Sequence, residues 1–301
     1  MIISSDPNEI VGPAGVGEEN WIKPLEPLPY IIRFENDPEV APAPAQEVFI
    51  TNQLSPDMDW NTFELISVGF GSFAVQVPPG RQSFETQVNW SNQDGSPLLV
   101  DIKANLNRET GLVSYSFRSL DPGTGLLPFD PLAGFLPVND KDLHNGEGFV
   151  TYLIQQKSGL ASGTPITNQA NIIFDINDPI LTNVYTNSID ADAPTSTVEA
   201  LPANSPEEFT VSWSGADPNG SGIATYDIYV SEDGGPFILW QEAVTTTMTT
   251  YTGIIDLSYG FYSVATDYVG YRQPTPAGAQ ASTKIGSQTD FYIYLPLIVK
   301  R

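Results

Sequence analysis

The residues of this 301-residue chain whose types and spacing suit chemistry are oxygen donors set in tight turns. Asp217-Pro218-Asn219-Gly220-Ser221-Gly222 puts oxygen-bearing side chains at alternate positions, with glycines that permit sharp curvature. Hard cations such as Ca2+ draw about six to eight oxygens from carboxylates, amides and backbone carbonyls in turns of this kind. The spacing and closing Glu of an EF-hand are absent, so the match is one of composition. Asp267, at the end of a strand-like run, is expected to share that pole of its domain, and Asp190 and Asp192 lie where two domains join. The candidate calcium ligands are therefore Asp217, Asn219, Asp267, Asp190 and Asp192. The competing reading makes these residues turn formers and Asx caps.

Other chemistries fall by elimination. There is no cysteine, hence no disulfide, thiol nucleophile, zinc ribbon or iron–sulfur site. The one histidine, His144, sits in the polar run Asn139-Asp140-Lys141-Asp142-Leu143-His144-Asn145-Gly146. No Gly-x-Ser-x-Gly elbow accompanies it, and no serine stands out as its partner. No phosphate-cradling glycine loop occurs. With 36 Asp and Glu in the chain, adjacent carboxylates arise by chance and do not by themselves mark a glycosidase. Sugar-stacking candidates are Trp21, Trp60, Trp90, Trp240, Tyr268 and Tyr271, although large aromatics more often pack in cores. No catalytic residue and no cofactor other than Ca2+ is expected.

Charge narrows the partners. Against its 36 acids the chain holds 12 Lys and Arg, a net charge of −24, which disfavours nucleic acid and anionic membranes. Residues 1–189 carry 23 acids and 8 bases, residues 190–271 carry 12 acids and no base, and the last 30 residues are net +3. A folded segment with no cation of its own must rely on solvent, counter-ions or bound divalent ions. No apolar run approaches the ~20 residues of a membrane helix. Met1-Ile2-Ile3 leads at once into Ser4-Ser5-Asp6, so no signal peptide is read, and the chain is expected to be a mature or excised piece of an exported protein.

The elements that must position these residues are strands. Short β-branched and aromatic runs alternate with Pro, Gly, Asn and Asp clusters, an all-β pattern. In the first part strands are expected at Tyr30–Phe34, Glu47–Thr51, Phe63–Phe70, Phe84–Asn89, Leu98–Asn105, Gly111–Ser119, Gly148–Ile154, Thr167–Phe174 and Leu181–Tyr185. In the second they fall at Thr197–Leu201, Glu208–Ser214, Ala224–Ser231, Phe237–Glu242, Thr249–Thr252 and Gly260–Asp267, with Glu232-Asp233-Gly234-Gly235 as a hairpin turn. Trp213, in phase with Val211 and Phe209, is expected in the second core. Residues 273–288 read as a Pro/Ala/Gly/Ser linker. Beyond them Phe291, Ile293, Leu295, Leu297 and Val299 alternate in a β-former that either completes its own domain or adds to the sheet edge of the next subunit.

Several blocks in the first part carry a resemblance. They include Asp6-Pro7-Asn8-Glu9, Tyr30-Ile31-Ile32-Arg33-Phe34-Glu35-Asn36, Gly148-Phe149-Val150-Thr151-Tyr152, Lys157-Ser158-Gly159-Leu160, Asn168-Gln169-Ala170-Asn171-Ile172-Ile173-Phe174-Asp175 and Thr182-Asn183. Together they resemble the DUF11-like and DUF7619-like β-sandwich modules of large bacterial surface proteins, over residues 5–189. The stretch from Leu120 to Asn139 is longer than in that pattern. Trp213-Ser214-Gly215-Ala216-Asp217, Tyr226-Asp227-Ile228-Tyr229-Val230-Ser231 and Tyr262-Ser263-Val264-Ala265-Thr266-Asp267 resemble a bacterial fibronectin type III or Ig-like domain. Some tandem sandwiches stiffen their joints with calcium, and Asp190-Ala191-Asp192 is similar to such a joint.

The fold expected is two tandem Ig-like β-sandwiches, residues 1–189 and 190–272, with a linker and tethered strand over 273–301. The resemblance implies a non-enzymatic, extracellular structural or adhesive module of a bacterial surface or secreted protein. Its expected partners are neighbouring domains or like subunits. The alternative is a carbohydrate-binding accessory module of a secreted hydrolase.

Overall fold

Alternation sets most of the buried side chains along the strands, although Asp101 is buried between Val100 and Ile102. In the run Leu98–Asn105, Val100, Ile102 and Ala104 are buried while Lys103 and Asn105 face water. The computed structural model describes residues 8–24 and 26–286 of the chain. It is all-β among those residues and divides into two compact units, Met1–Ala191 and Asp192–Arg301.

The first unit opens with β1 (Glu9–Val11), β2 (Trp21–Ile22), β3 (Leu28–Glu35), β4 (Glu47–Gln53) and β5 (Met58–Phe70). There follow β6 (Phe73–Gln76), β7 (Ser83–Ser91), β8 (Pro97–Asn107), β9 (Leu112–Leu120) and β10 (Glu147–Gln156). The unit ends with β11 (Pro165–Asn168), β12 (Ala170–Phe174), β13 (Ile180–Leu181) and β14 (Tyr185–Ile189). One antiparallel sheet runs β1-β3-β10-β5-β6 and the other β13-β12-β4-β9-β8-β7. A small third sheet, β11-β14-β2, contains a parallel β14/β2 pair. Phe34, Phe70, Phe117 and Phe135 interlock edge-to-face and stacked in the core, each almost wholly buried.

The second unit contains β15 (Thr195–Val198), β16 (Asn204–Ser205), β17 (Glu208–Ala216), β18 (Ile223–Glu232), β19 (Ile238–Val244), β20 (Met248–Thr252), β21 (Ser258–Asp267) and β22 (Ala281–Ile285). Its sheets are β15-β17-β20 and β16-β22-β21-β18-β19. Trp213 is 2% exposed, meets Tyr226 edge-on and lies in the core, as expected. Asp233 and Gly234 both take positive φ, which suits the tight turn between β18 and β19.

Three expectations need correction. The run Thr167–Phe174 is not one strand: it breaks at Gln169, because Asn168 turns inward to polar partners while Ala170 begins a strand in the other sheet. The run Leu181–Tyr185 also divides, because Thr182 and Asn183 leave the ladder to bond Ala170 and Ile10. Of the run read as a linker, residues 273–286 are not free. Ala281, Thr283 and Ile285 are buried in alternation with exposed Ser282 and Lys284, and β22 pairs with both β21 and β16. Small residues concealed that alternation. The strand expected at Phe291, Ile293, Leu295, Leu297 and Val299 lies outside the described residues.

Asn52 on β4, Tyr152 on β10 and Asn168 on β11 form a closed ring between the first unit's sheets. Tyr152 Oη donates to Asn52 Oδ1 (2.7 Å), Asn52 Nδ2 to Asn168 Oδ1 (2.6 Å) and Asn168 Nδ2 to Tyr152 Oη (2.7 Å). All three residues are buried. Removing one member strands the others without water. Asn52→Ala is expected to destabilise the first unit by roughly 1–3 kcal/mol. Urea unfolding of the whole chain followed by amide NMR checks this: first-unit resonances should unfold at lower urea, with the second unit's transition unmoved.

Candidate functional site

In the second unit the Asp217 turn is held by its own carboxylate. Gly222 N donates to Asp217 Oδ2 (2.8 Å), Gly220 N to the Asp217 carbonyl (3.3 Å), and Asn219 and Gly222 take positive φ. A Cβ on Gly220 would collide with the Asp217 carboxylate, so the close wrap requires glycine there. Asp267, 2% exposed at the end of β21, accepts from Tyr271 N through Oδ1 (2.8 Å). Tyr268 N donates to the Gly222 carbonyl (3.1 Å) and Val269 N to Ser221 Oγ (3.2 Å), tying the two loops together. The structure thereby brings Asp217 and Asp267 to one pole of the unit, each with a carboxylate oxygen within 4.8 Å of the other's. These are hard oxygen donors in turns, the donor type that Ca2+ takes. Asn219 is exposed on the turn, and Asp192 is exposed at the start of the unit. Asp190, at the end of the first unit, is fully buried and donates its N–H to the Ile22 carbonyl (2.9 Å).

The expectation that residues 190–271 lack internal cations acquires one qualification. Arg272, the next residue, reaches back so that Nη1 lies 2.6 Å from Asp227 Oδ2 and Nη2 donates to Tyr229 Oη. Sequence reading missed this pair, because the cation lies just past the acidic stretch.

His144 lies in a solvent-exposed turn with φ of 53°. Its Nδ1 is 2.6 Å from Glu147 Oε1, and this carboxylate raises the imidazole above its ordinary value. The arrangement is that of a loop ion pair three residues apart.

Most aromatic candidates for sugar stacking are engaged. Trp60 is half-buried, covers Gly111 and donates Nε1 to the Ser55 carbonyl. Trp90 packs edge-on to Phe70, and Trp240 against Tyr251 and Phe261. Trp21 and Tyr271 are also half-buried, whereas Tyr268 is 56% exposed.

The polar residues of the blocks that carry the resemblance have structural partners. Asn168 belongs to the buried ring. Thr182 Oγ1 accepts from Ala170 N, and Asn183 bonds both backbone groups of Ile10. Asp175, in the left-handed region, accepts from Gln46 N (2.9 Å) and Glu47 N (2.8 Å) at the start of β4, and partial burial raises its carboxyl above the ordinary value. Asn36 Nδ2 donates to the Ala43 and Leu136 carbonyls.

The model of a family described as a domain of unknown function (DUF7619) matches residues 6–121 and 129–188. The gap falls within the long connection between β9 and β10. No curated protein matches the chain. Among solved structures, the fibronectin(III)-like modules of Clostridium thermocellum CbhA are 10% identical, covering 92% of this chain and 94% of that one, with a TM-score of 0.29. The C-terminal domain of the Streptococcus pyogenes antigen I/II-family protein AspA is 9% identical (93% and 100% covered, TM-score 0.38). The group B streptococcus pilus 2b backbone protein is 12% identical (92% and 95% covered, TM-score 0.35). At these scores the likenesses carry no argument about what this chain does.

In an NMR titration His144 is expected to titrate above the ordinary imidazole value. Glu147→Gln should lower that midpoint, because the neutral amide no longer favours the cation. An unchanged midpoint would show that the ion pair does not form in solution.

Proposed function

The chain belongs to the DUF7619 family, and from that premise we propose that it is a non-enzymatic, extracellular structural or adhesive module of a bacterial surface or secreted protein. One observation carries the reading: the polar residues of the blocks that carry the resemblance hold strands to one another. Asn168, Asp175, Thr182 and Asn183 each bond a strand or strand end remote in sequence. Polar groups used in this way make a sandwich rigid, and rigidity is what a spacer or adhesive module needs. The accessory carbohydrate-binding role has less support, because Trp60, Trp90 and Trp240 are packed against core neighbours.

The proposal extends to head-to-tail assembly through the segment containing Phe291, Ile293, Leu295, Leu297 and Val299. Strand addition gives affinity through main-chain hydrogen bonds and specificity through alternate side chains. Electron microscopy of the full chain is expected to show filaments that disappear when residues 287–301 are deleted. Filaments that survive the deletion would remove this part of the reading.

Calcium is proposed for the pole formed by Asp217 and Asp267. A ligand that binds only the folded state raises stability by mass action. Titrating Ca2+ into the metal-stripped chain is therefore expected to raise the melting temperature, with Asp217→Asn and Asp267→Asn each abolishing most of the rise. The same titration on Asp190→Asn and Asp192→Asn asks whether those carboxylates contribute. No change in the parent protein would dismiss calcium.

A further inference from the structure

The described sheets of the first unit end, on one flank, in β6 and β7. Among the described residues, β6 pairs only with β5 and β7 only with β8. Phe73 on β6 and Trp90 on β7 both pack on Phe70, with ring centroids 5.4 and 4.9 Å away, so the two strands close the same flank of the core. The closure is incomplete. Phe73, Val75, Phe84, Val88 and Trp90 lie against the buried core but remain only half-buried. A further strand beside β7 would cover that seam.

β7 is also the most receptive edge among the described residues. It spans nine residues and pairs with β8 from Ser83↔Asn105 to Ser91↔Pro97 without a register shift. The other terminal strands run from two to five residues, save β19, whose seven residues include two register shifts. Natural edges are usually blunted by proline, bulges, inward charges or shortness. β7 has no proline and no bulge, and its one charge, Glu85, points outward and is 2.7 Å from Lys103 Nζ.

Resting on the head-to-tail reading above, we propose that Phe291–Val299 of a second copy of this chain adds to the free edge of β7. The segment is nine residues long, the length of the edge, and its odd-numbered residues are all apolar. Because side chains alternate between faces, those residues would cover the half-buried flank of Phe84, Val88 and Trp90 while Tyr292 and Tyr294 face outward beside Gln87. Pro296 fits such a strand where its missing N–H lies on the new outer edge. Charge is compatible with this occupant: the first 189 residues are net −15, while the segment is preceded by Asp290 and followed by Lys300 and Arg301, so that residues 287–301 are net +1.

The chain has no cysteine, so engineered thiols report alone. Full-length Glu85→Cys, Gln87→Cys and Asn89→Cys proteins are each mixed with Tyr292→Cys or Tyr294→Cys protein under mild oxidation. Disulfides need Cα atoms within about 7 Å, so the panel samples the possible registers. At least one mixture is expected to shift to a two-chain band, and adding Leu295→Asp to the donor should abolish it. Leu239→Cys on β19 serves as the control and is expected to stay single-chain. Filaments by electron microscopy with cross-linking at Leu239→Cys, or at none of the β7 positions, would overturn the β7 assignment and leave assembly standing. Absence of both filaments and cross-links would overturn both. A Gln87→Cys/Tyr294→Cys double variant that closes only within single chains at high dilution would overturn docking of a second copy.

Discussion

Both sandwiches depend on carboxamides that bridge their sheets. In the first unit the ring of Asn52, Tyr152 and Asn168 joins strands of all three sheets, and Asn52 Nδ2 also holds the Gln169 carbonyl (2.9 Å). The second unit does the same with Gln273 and Gln280. Gln280 Oε1 accepts from Val198 N on β15 and Ser263 N on β21, and both glutamines donate to the Ser196 carbonyl. Apolar packing is non-directional and tolerates sliding of one sheet over another. A satisfied polar bridge does not, since a shift of one residue leaves several buried groups unpaired at once. Registration of the sheets therefore rests on these few amides.

This choice has a consequence for conditions of use. Amides do not titrate, and burial pushes the Tyr152 phenol well above its ordinary range, so the ring keeps its protonation state across any physiological pH. The ion pairs sit nearer the surface: Lys103, Arg118 and Arg272 pair with their own side chains substantially exposed to water, although the partners Glu47 and Asp227 are largely buried. Such pairs contribute little and fade with salt. A chain without disulfides thus draws its rigidity from neutral bridges and interlocked aromatic rings, both indifferent to redox state and largely to pH and salt.

Legibility in the sequence followed the same division. Strands with one apolar face, such as Val100–Asn105, and the hairpin at Asp233-Gly234 were readable because alternation and turn chemistry are local. The break at Asn168–Gln169 was not, because nothing local distinguishes a surface asparagine from one that must meet Tyr152 and Asn52. β22 was missed for a related reason: Ala281, Thr283 and Ile285 are small or weakly apolar, and the glutamines that anchor their approach read as polar linker. The pole of the second unit was half legible. Asp217 and its glycines announce a turn, and the end of β21 places Asp267. Their approach to within 4.8 Å follows from the pairing of β18 with β21, which sequence alone does not register.

The excess of acid also bears on the flank that β6 and β7 close. An open nine-residue edge is a hazard in any sandwich, because identical molecules can pair edge to edge. Here two bodies approaching by that route each bring a strongly acidic first unit, and at physiological salt their repulsion acts over a screening length of about 8 Å, enough to oppose close contact. The charge that disfavours nucleic acid and anionic membranes therefore also disfavours edge-to-edge pairing with the body of another copy, the selectivity that the proposed tail docking requires.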